Sequence, residues 1–172
     1  LEPELAESLR LRRRGYHGLF HQAASHRAAA SLKRLGDAGP PRVLSICLEP
    51  KPEAAAVVGR RPLMVTGGTT PLEGLPGETC CGEMDAGMVL SLMDTLQTGP
   101  ESLDRVLSRE SGLKGLMGKS ATLEEVFTSS APDARFAAAV VRHHLLLACG
   151  AGVAAMGGVD ALAFSGRYVS LA

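Results

Sequence analysis

Aromatic side chains are scarce in this sequence. Phe, Tyr and Trp together make up 3% of the 172 residues, and tryptophan is absent. The core therefore has to be built from Leu, Val, Ala and Met instead of large rings. Apolar residues still account for 45% of the chain, which is enough for one good core in one or two small domains. Helices packed closely on small residues are the expected result.

The chain also lacks net charge, because eighteen basic and eighteen acidic side chains cancel. A dedicated nucleic-acid binder normally carries a basic excess, so we expect no nucleic-acid partner. Long apolar runs are missing as well. The longest covers roughly residues 145–158, is followed by Asp160, and is too short to span a bilayer, so we expect no membrane partner.

No C-x-x-C pair occurs among the four cysteines, which are Cys47, Cys80, Cys81 and Cys149. Adjacent cysteines are too strained for routine bridging, so a reducing, cytoplasmic location is expected. No signal peptide is recognisable after Leu1, and a start at leucine suggests a fragment of a longer protein or a processed chain.

The strand and loop signals predict an α/β fold. Residues 42–48 form an apolar run with β-branched members, and 54–65 contain two short runs joined by a Gly-Arg-Arg-Pro turn. The segment 159–166 is predicted as a closing strand. Residues 66–87 hold six glycines and form a long loop of the kind that often carries function.

Helices are predicted around these strands. Residues 3–35 should be helical with a break near 15–18, and an apolar stripe that includes Met88 and Leu92 follows the long loop. Further helices should start at capping boxes formed by Thr98 with Glu101 and Thr122 with Glu125, and the longest should cover 132–157. "SGLKGLMGKS", 111–120, is predicted as a glycine-rich turn.

The stretch "RRRGYHGLFHQ", 12–22, places His17 and His21 on one helix face. Four interpretations are open from the residues alone: a catalytic pair, a metal site, a basic docking patch, or two ordinary histidines. A metal site lacks a third ligand at sensible spacing, so we assign no metal ligand.

The stretch "GGTTPLEGLPGE", 67–78, offers backbone N–H groups, hydroxyls and little bulk, which suits a phosphate or an oxyanion. Thr70 and Gly74 are its candidate binding residues. The stretch matches neither Walker A nor G-x-G-x-x-G, and glycine-rich turns are common, so an ordinary loop remains the alternative.

Four segments carry a resemblance to a known family. "RRRGYHGLFHQ" is similar to "RRYGFHGxSH", and "TTPLEGLPGETCCGEMDAGMVLSLM" is similar to "FTPLEGLxMGTRxGxIDPxxxxxLM". "LSRESGLKGLMGKS" resembles "KSGLLGLSGxS", and "AAMGGVDALAFSG" resembles "xxLGGxDAxVFTxGIGEN". These are motifs of the acetate and propionate kinases, the acetokinases of the actin and sugar-kinase superfamily.

The resemblance implies an actin-like ATPase fold with ribonuclease-H-like domains, in which a mixed sheet is flanked by helices. Residues 1–41 would be the helical end of the first acetokinase half, and 42–172 a truncated, nucleotide-domain-like second half. The family transfers phosphate from ATP, with Mg²⁺, to a short-chain carboxylate. A homodimer is implied as well.

The resemblance also implies residue roles. His17 takes the position of the histidine that stabilises the transferring phosphoryl group, a role that needs a donor aimed at phosphoryl oxygens. Cys80 takes the position of the family's main arginine in "GTRxG", and a neutral thiol cannot replace a bidentate guanidinium. The adenine-facing "NDFRD" segment falls on 121–125, where its aspartate and arginine are absent.

The phosphate loop departs most. "CHLGNGxS" aligns without gaps to "ICLEPKPE", so the degenerate loop consists of Cys47, Leu48, Glu49, Pro50 and Lys51. Proline removes an N–H and glutamate repels phosphate.

These departures predict carboxylate kinase activity that is reduced or lost. The alternatives are an inactive acetokinase-fold module for interaction, regulation or dimerisation, and a working kinase in which Lys51, Arg60 and Arg61 replace the lost donors. An α/β interaction module unrelated to kinases is a further reading, favoured if residues 42–66 form no three-stranded hairpin sheet.

Overall fold

Three consecutive strands and one distant strand form a mixed sheet in the computed structural model, which describes residues 2–34 and 39–171. The strands are β1 Arg42–Cys47, β2 Glu53–Val58, β3 Arg61–Val65 and β4 Ala161–Ser165. Their order across the sheet is β3-β2-β1-β4, with β1, β2 and β3 antiparallel and β4 parallel to β1. The predicted strands are confirmed, including the hairpin sheet over 42–66.

The parallel pairing of β1 with β4 requires a long crossover, and five of the helices lie within it. The helices are α1 Pro3–Ser8, α2 Gly18–Arg34, α3 Ala86–Thr95, α4 Pro100–Arg109, α5 Gly112–Met117, α6 Leu123–Thr128 and α7 Pro132–Met156, and a short 3₁₀ turn covers Val169–Leu171.

Helices α2 and α7 pack on opposite faces of the sheet. Successive side chains of a strand point to opposite faces, and two neighbours in β1 show this directly. The hydroxyl of Ser45 meets His21 of α2, whereas Leu44 lies under Gly152 of α7. The sheet is therefore the middle layer of the fold.

Small residues let α7 approach the sheet closely. A Cβ built on Gly152 would lie 2.9 Å from Leu44 Cδ1 and 3.4 Å from the Cβ of Ala56. Leu44 and Ala56 are buried and cluster with Met156 at the end of α7. A second apolar cluster joins α5, α6 and α7 and includes Leu113, Leu123, Val126, Ala137 and Val141. The expectation of helices packed on small residues is confirmed here.

The helix starts and breaks differ from the sequence predictions in two places. The break in the first helix extends over residues 9–17 and is much wider than predicted. Helix α4 begins with Pro100 after an N-cap at Gly99 that makes no side-chain capping bond, so the box at Thr98 was wrong. The box at Thr122 and Glu125 is confirmed, with both reciprocal hydrogen bonds present.

The predicted glycine-rich turn at 111–120 instead contains helix α5. Leu113, in its first turn, is completely buried in the cluster with α6 and α7. Gly112 has φ +61° and Gly118 has φ +65°, so left-handed glycines mark both ends of the helix. Burial of the leucine outweighs the poor helix propensity of the glycines.

Helix α7 is long and apolar enough, by length and composition, to cross a membrane. The sequence prediction considered only residues 145–158, whereas the helix covers 25 residues. In the structure α7 lies along the sheet and contacts α5 and α6, and 22% of its apolar stretch is buried.

Candidate functional site

The segment that precedes α2 is held against the end of β3. Arg13 Nη1 donates a hydrogen bond to the Val65 carbonyl oxygen at 3.0 Å, and the same guanidinium pairs with Glu73. Gly15 has φ +48°, a left-handed conformation that favours glycine. The chain therefore turns tightly and brings residues 16 and 17 over β2.

A buried carboxylate, Glu53, lies beneath this turn at the first position of β2. Only 3% of Glu53 is exposed. The backbone N–H groups of Tyr16 and His17 donate to it at 2.9 Å and 3.1 Å, and His21 Nε2 lies 3.1 Å from Oε1. Burial alone would raise the pKa of Glu53, but the hydrogen bonds from His21, Tyr16 and His17 outweigh burial and hold that pKa below its usual range.

The two histidines of "RRRGYHGLFHQ" approach the same carboxylate oxygen in different ways. His21 is buried, and its Nδ1 lies 2.9 Å from the hydroxyl oxygen of Ser45 while Nε2 contacts Glu53. His17 Nδ1 lies 3.9 Å from Glu53 Oε1 and is buried without a hydrogen-bond partner. His21 is thus fixed at both nitrogens, whereas His17 retains a free one.

The first residues of the degenerate phosphate loop are tied to β4 and the turn after it. Leu48 donates its N–H to the Ser165 carbonyl at 2.8 Å, and its own carbonyl accepts from Tyr168 N at 3.0 Å. Cys47 is fully buried, and burial raises the pKa of its thiol to about 11, helped by Glu49 and opposed by a hydrogen bond with Ser165. The Cys47 thiol is therefore protonated at neutral pH.

The charged residues of this loop have partners within the chain. Glu49 Oε1 accepts a hydrogen bond from Arg167 N at 2.8 Å. Lys51 Nζ donates to the Leu75 carbonyl oxygen at 2.6 Å. Pro50 has no N–H to offer. Because Pro50 offers no N–H and the Glu49 carboxylate repels phosphate, these residues do not fit the triphosphate of a nucleotide.

The remaining candidates lie in the long loop. Thr70 is exposed. Gly74 has φ +99°, and a Cβ added to it would lie 2.5 Å from the Thr66 carbonyl oxygen. Cys80 is buried, and its carbonyl accepts from Gly77 N at 3.0 Å. Gly74 therefore serves the tight path of the loop.

The structure places His17 next to the C-terminal end of the segment 48–52 and Cys80 beside the middle of that segment. His17 contacts Glu53, directly after that segment. A Cβ on Gly77 would lie 2.8 Å both from Cys80 Sγ and from the Pro50 carbonyl oxygen, so Cys80 belongs beside the middle of the loop. Among the described residues no hydrogen bond or ion pair joins His17 to Cys80.

An open cavity of about 440 Å³ lies between α2 and the strands β2 and β3. Glu53 and Ser25 line its inner part, and the basic side chains around it are Arg13, Arg14 and Arg60. The Ser25 hydroxyl is buried without a hydrogen-bond partner. The cavity therefore combines a positive rim with a polar base.

Within residues 2–34 and 39–171, no group of three or more His, Cys, Asp or Glu side chains could hold a metal ion. The Ser45–His21–Glu53 chain has the residue types of a nucleophilic triad, but Ser45 is completely buried and cannot reach a substrate. The chemistry available here is the binding of negative charge by N–H donors.

Sequence reasoning identified His17 and His21 but missed Glu53, which organises both. The gapless match of "CHLGNGxS" to "ICLEPKPE" places Glu53 on the motif's serine, and that substitution was the available signal. An acidic residue at the first position of an apolar strand requires a partner when it is buried.

Comparisons with known proteins identify the family of this chain. The sequence profile of the Acetokinase family matches residues 1–168. The chain is 36% identical over 168 residues to the acetate kinase of Clavibacter sepedonicus, covering 96% of this chain and 42% of that enzyme. It is 36% identical over 158 residues to the acetate kinase of Nostoc punctiforme, covering 90% and 38%.

Solved structures give the same result. The acetate kinase of Porphyromonas gingivalis superposes with a TM-score of 0.85 at 30% identity, over 94% of this chain and 41% of that one. A propionate kinase from Francisella tularensis gives 0.83 at 25% identity, over 94% and 42%. The predicted α/β, ribonuclease-H-like fold class is confirmed.

The chain spans about two fifths of the length of the curated relatives that it matches. Over that span the profile covers nearly every residue, including the His17 turn, the hairpin sheet and β4. The chain belongs to the acetokinase family.

Proposed function

We propose that this chain is an acetate kinase-like phosphotransferase component whose carboxylate kinase activity is reduced or lost. The reaction class is transfer of phosphate from ATP to a short-chain carboxylate, which gives an acyl phosphate. One observation carries the proposal: the residues that replace the phosphate loop bond to their own chain. Lys51 donates to the Leu75 carbonyl, and Glu49 accepts from Arg167 N.

The cysteine at position 80, where the family motif has an arginine, supports the same conclusion. Phosphoryl transfer depends on positioned positive charge, and a single arginine of this kind contributes about 10³–10⁵-fold to turnover. Cys80 is buried and offers only a thiol in that position.

ATP and Mg²⁺ are the cofactors that the family implies. ATP would supply the transferable phosphoryl group, and Mg²⁺ would neutralise its charge. The loop 47–51 does not fit the nucleotide's phosphates, for the reasons given above, so we derive no catalytic step through them. By resemblance His17 holds the position of the family's transition-state stabiliser, and its Nδ1 is buried beside Glu53.

A hydroxamate assay for acyl phosphate on the full-length protein tests the proposal. Acetate, propionate and butyrate should each give no turnover, or turnover reduced by at least about 10³-fold relative to an active acetate kinase. Robust turnover on any of the three would refute it. Thermal shift with ATP is the matching binding test, because a ligand that binds the native state raises apparent stability.

The alternative of a working kinase, in which Lys51, Arg60 and Arg61 replace the lost donors, makes the opposite prediction. It requires Lys51 as a phosphate ligand, so Lys51→Met and His17→Ala should abolish measured turnover. If those variants retained full activity, this alternative would fail. The hydrogen bond of Lys51 Nζ to the Leu75 carbonyl uses one of the three donors of the ammonium, so activity measurements on the Lys51 variant decide this alternative.

A second candidate function, an interaction or dimerisation module, is favoured by exposed apolar side chains. Phe136, Leu146 and Leu147 of α7 and Leu162 and Phe164 of β4 are exposed. Large apolar patches of this kind mark interfaces. Light scattering after size exclusion should show a homodimer, and Leu146→Asp should shift it toward monomer if α7 forms the contact.

The domain division at residue 41 and a cytoplasmic location are also part of this proposal. So is the expectation of a short-chain carboxylate and a second copy of the chain as partners, with neither nucleic acid nor membrane. The near-neutral charge of the chain and the packing of α7 on the sheet support these expectations.

A further inference from the structure

The N-terminal end of α2 holds a negative charge, and that charge belongs to the protein itself. Two consecutive backbone N–H groups, from Tyr16 and His17, converge on the Glu53 carboxylate at 2.9 Å and 3.1 Å. They precede a helix of 17 residues, whose N-terminal end carries a partial positive charge. His21 Nε2, one turn into α2, approaches the same group at 3.1 Å.

The shape of the chain around Glu53 is adapted to a carboxylate. A Cβ on Gly67 would overlap Glu53 Oε2, and a Cβ on Gly15 would lie 3.2 Å from Oε1. Gly15 also has φ +48°. Two glycines therefore leave a space that a pair of oxygen atoms fills.

An unused donor position faces the same space. His17 Nδ1 is buried without a hydrogen-bond partner and lies 3.9 Å from Glu53 Oε1, too far for a hydrogen bond. The cradle thus has more hydrogen-bonding capacity than Glu53 uses. A free anion, not restrained by a strand backbone, can approach His17 more closely than a tethered one.

The space also has an access route. Glu53 lines the open cavity between α2 and the strands β2 and β3, and Arg13, Arg14 and Arg60 line the same cavity. Removal of the Glu53 side chain would join the cradle to this cavity. The arginines would attract a small anion toward it.

We propose that Gly15, Tyr16, His17, His21 and Gly67 form a carboxylate-binding site that Glu53 fills as a built-in ligand. The site accepts a free small carboxylate when the Glu53 side chain is shortened. A consequence, which rests on the proposed function, is that the wild-type chain closes the space beside His17 to an external anion. The existence of the site does not depend on kinase activity of any kind.

Chemical rescue of the full chain by formate tests this site. Thermal unfolding of wild type and of Glu53→Ala is followed in sodium formate and in sodium chloride of equal ionic strength. We expect Glu53→Ala to unfold at lower temperature in chloride. Formate at about 100 times its Kd should raise the variant's Tm by about 5–10 °C and leave the wild type within the chloride control. A parallel series in phosphate shows whether the site selects a planar carboxylate or accepts any oxyanion.

Two variants serve as controls. Glu78→Ala removes another partly buried carboxylate, one that accepts from Leu123 N at 3.0 Å and from the Tyr168 hydroxyl at 2.7 Å. It should show no formate-specific gain. Adding His21→Ala to Glu53→Ala removes a donor of the cradle and should abolish most of the formate response.

Four results would overturn the proposal. They are an equal formate response of wild type, an equal response of Glu78→Ala, no difference between formate and chloride for Glu53→Ala, and a larger response to phosphate than to formate. If Glu53→Ala is unfolded in chloride, native circular dichroism recovered in formate alone is the expected result. Glu53→Ser provides a second variant, and absence of rescue in both overturns the site. None of these results depends on the hydroxamate assay, so the site and the proposed function fail separately.

Discussion

Replacing Gly152 with alanine should leave the protein less stable than the same replacement at Gly150. Both glycines lie in α7, two residues apart, so each substitution gains about 1 kcal/mol of helix propensity. At Gly150 a Cβ meets nothing within 4 Å. At Gly152 it would lie 2.9 Å from Leu44 Cδ1 and 3.4 Å from Ala56 Cβ.

The packing penalty at Gly152 follows from its surroundings. Leu44 is 1% exposed and Ala56 is fully buried in the sheet, so neither can move away freely. Met64 Cε, at 3.6 Å from the added Cβ, closes a third side. Overpacking of a filled core costs about 1–3 kcal/mol. Gly150→Ala should therefore stabilise by about 1 kcal/mol, whereas Gly152→Ala should be neutral or destabilising by up to about 2 kcal/mol.

Equilibrium urea unfolding of both variants and wild type measures this difference. The pair cancels the helix-propensity term, so the difference in unfolding free energy reports the contact between α7 and the sheet. Equal stability of the two variants would refute the reasoning, because it would mean that α7 can shift away from β1 and β2 at no cost. A change of the urea m-value would show instead that two-state unfolding had been lost.

Three further predictions concern stability. Leu113→Ala should lower the free energy of unfolding by about 2–5 kcal/mol, because the side chain is fully buried in the cluster with α6 and α7. Urea unfolding measures this loss, and a loss below about 1 kcal/mol would contradict the place of Leu113 in the core. Thr122→Ala should lower the free energy of unfolding by about 0.5–2 kcal/mol, because it removes the capping box of α6. Thr128→Ala, outside the cap, is the control, and an equal loss of stability in both variants would contradict the prediction. Arg42 holds the pKa of Asp160 at about 2 against an ordinary value of 3.8, so the stabilisation is present above about pH 4 and is lost as pH falls toward 2. The acid decline of Tm over that range should be smaller in Asp160→Asn, and an unchanged decline would contradict this linkage.

The sheet and the long helix could be predicted because their signals are local. β-Branched runs bounded by Pro and Gly mark β1 and the β2–β3 hairpin, and the Gly157–Gly158 pair ends α7 within one residue of the predicted position. Helix α5 could not be predicted in this way. Its glycines favour a turn, and only the contacts of Leu113 with distant helices make it helical.

The candidate site was only half predictable for the same reason. His17 and His21 stand out in one short stretch, whereas Glu53 lies 32 residues beyond His21 and meets it only when α2 folds onto the sheet. The sequence pattern of the loop identified Glu53 neither as a site residue nor as a hydrogen-bond partner of the histidines. Sequence spacing gives neighbours along a helix, but not the residue of another element that lies beneath it.

The two charged residues of the altered loop and Glu53, which follows it in β2, share one physical feature. Glu49 accepts from Arg167 N, Lys51 donates to the Leu75 carbonyl, and Glu53 accepts from the turn before α2. A phosphate-binding loop needs the opposite arrangement, in which donors are left without internal partners until the ligand arrives. In this chain Glu49, Lys51 and Glu53 each have a partner without a ligand, and each contact joins the segment 49–53 to a different part of the chain. Under the proposed function, the substitutions would let this segment fold by its own contacts, and the sheet and helices around it would stay intact without a nucleotide.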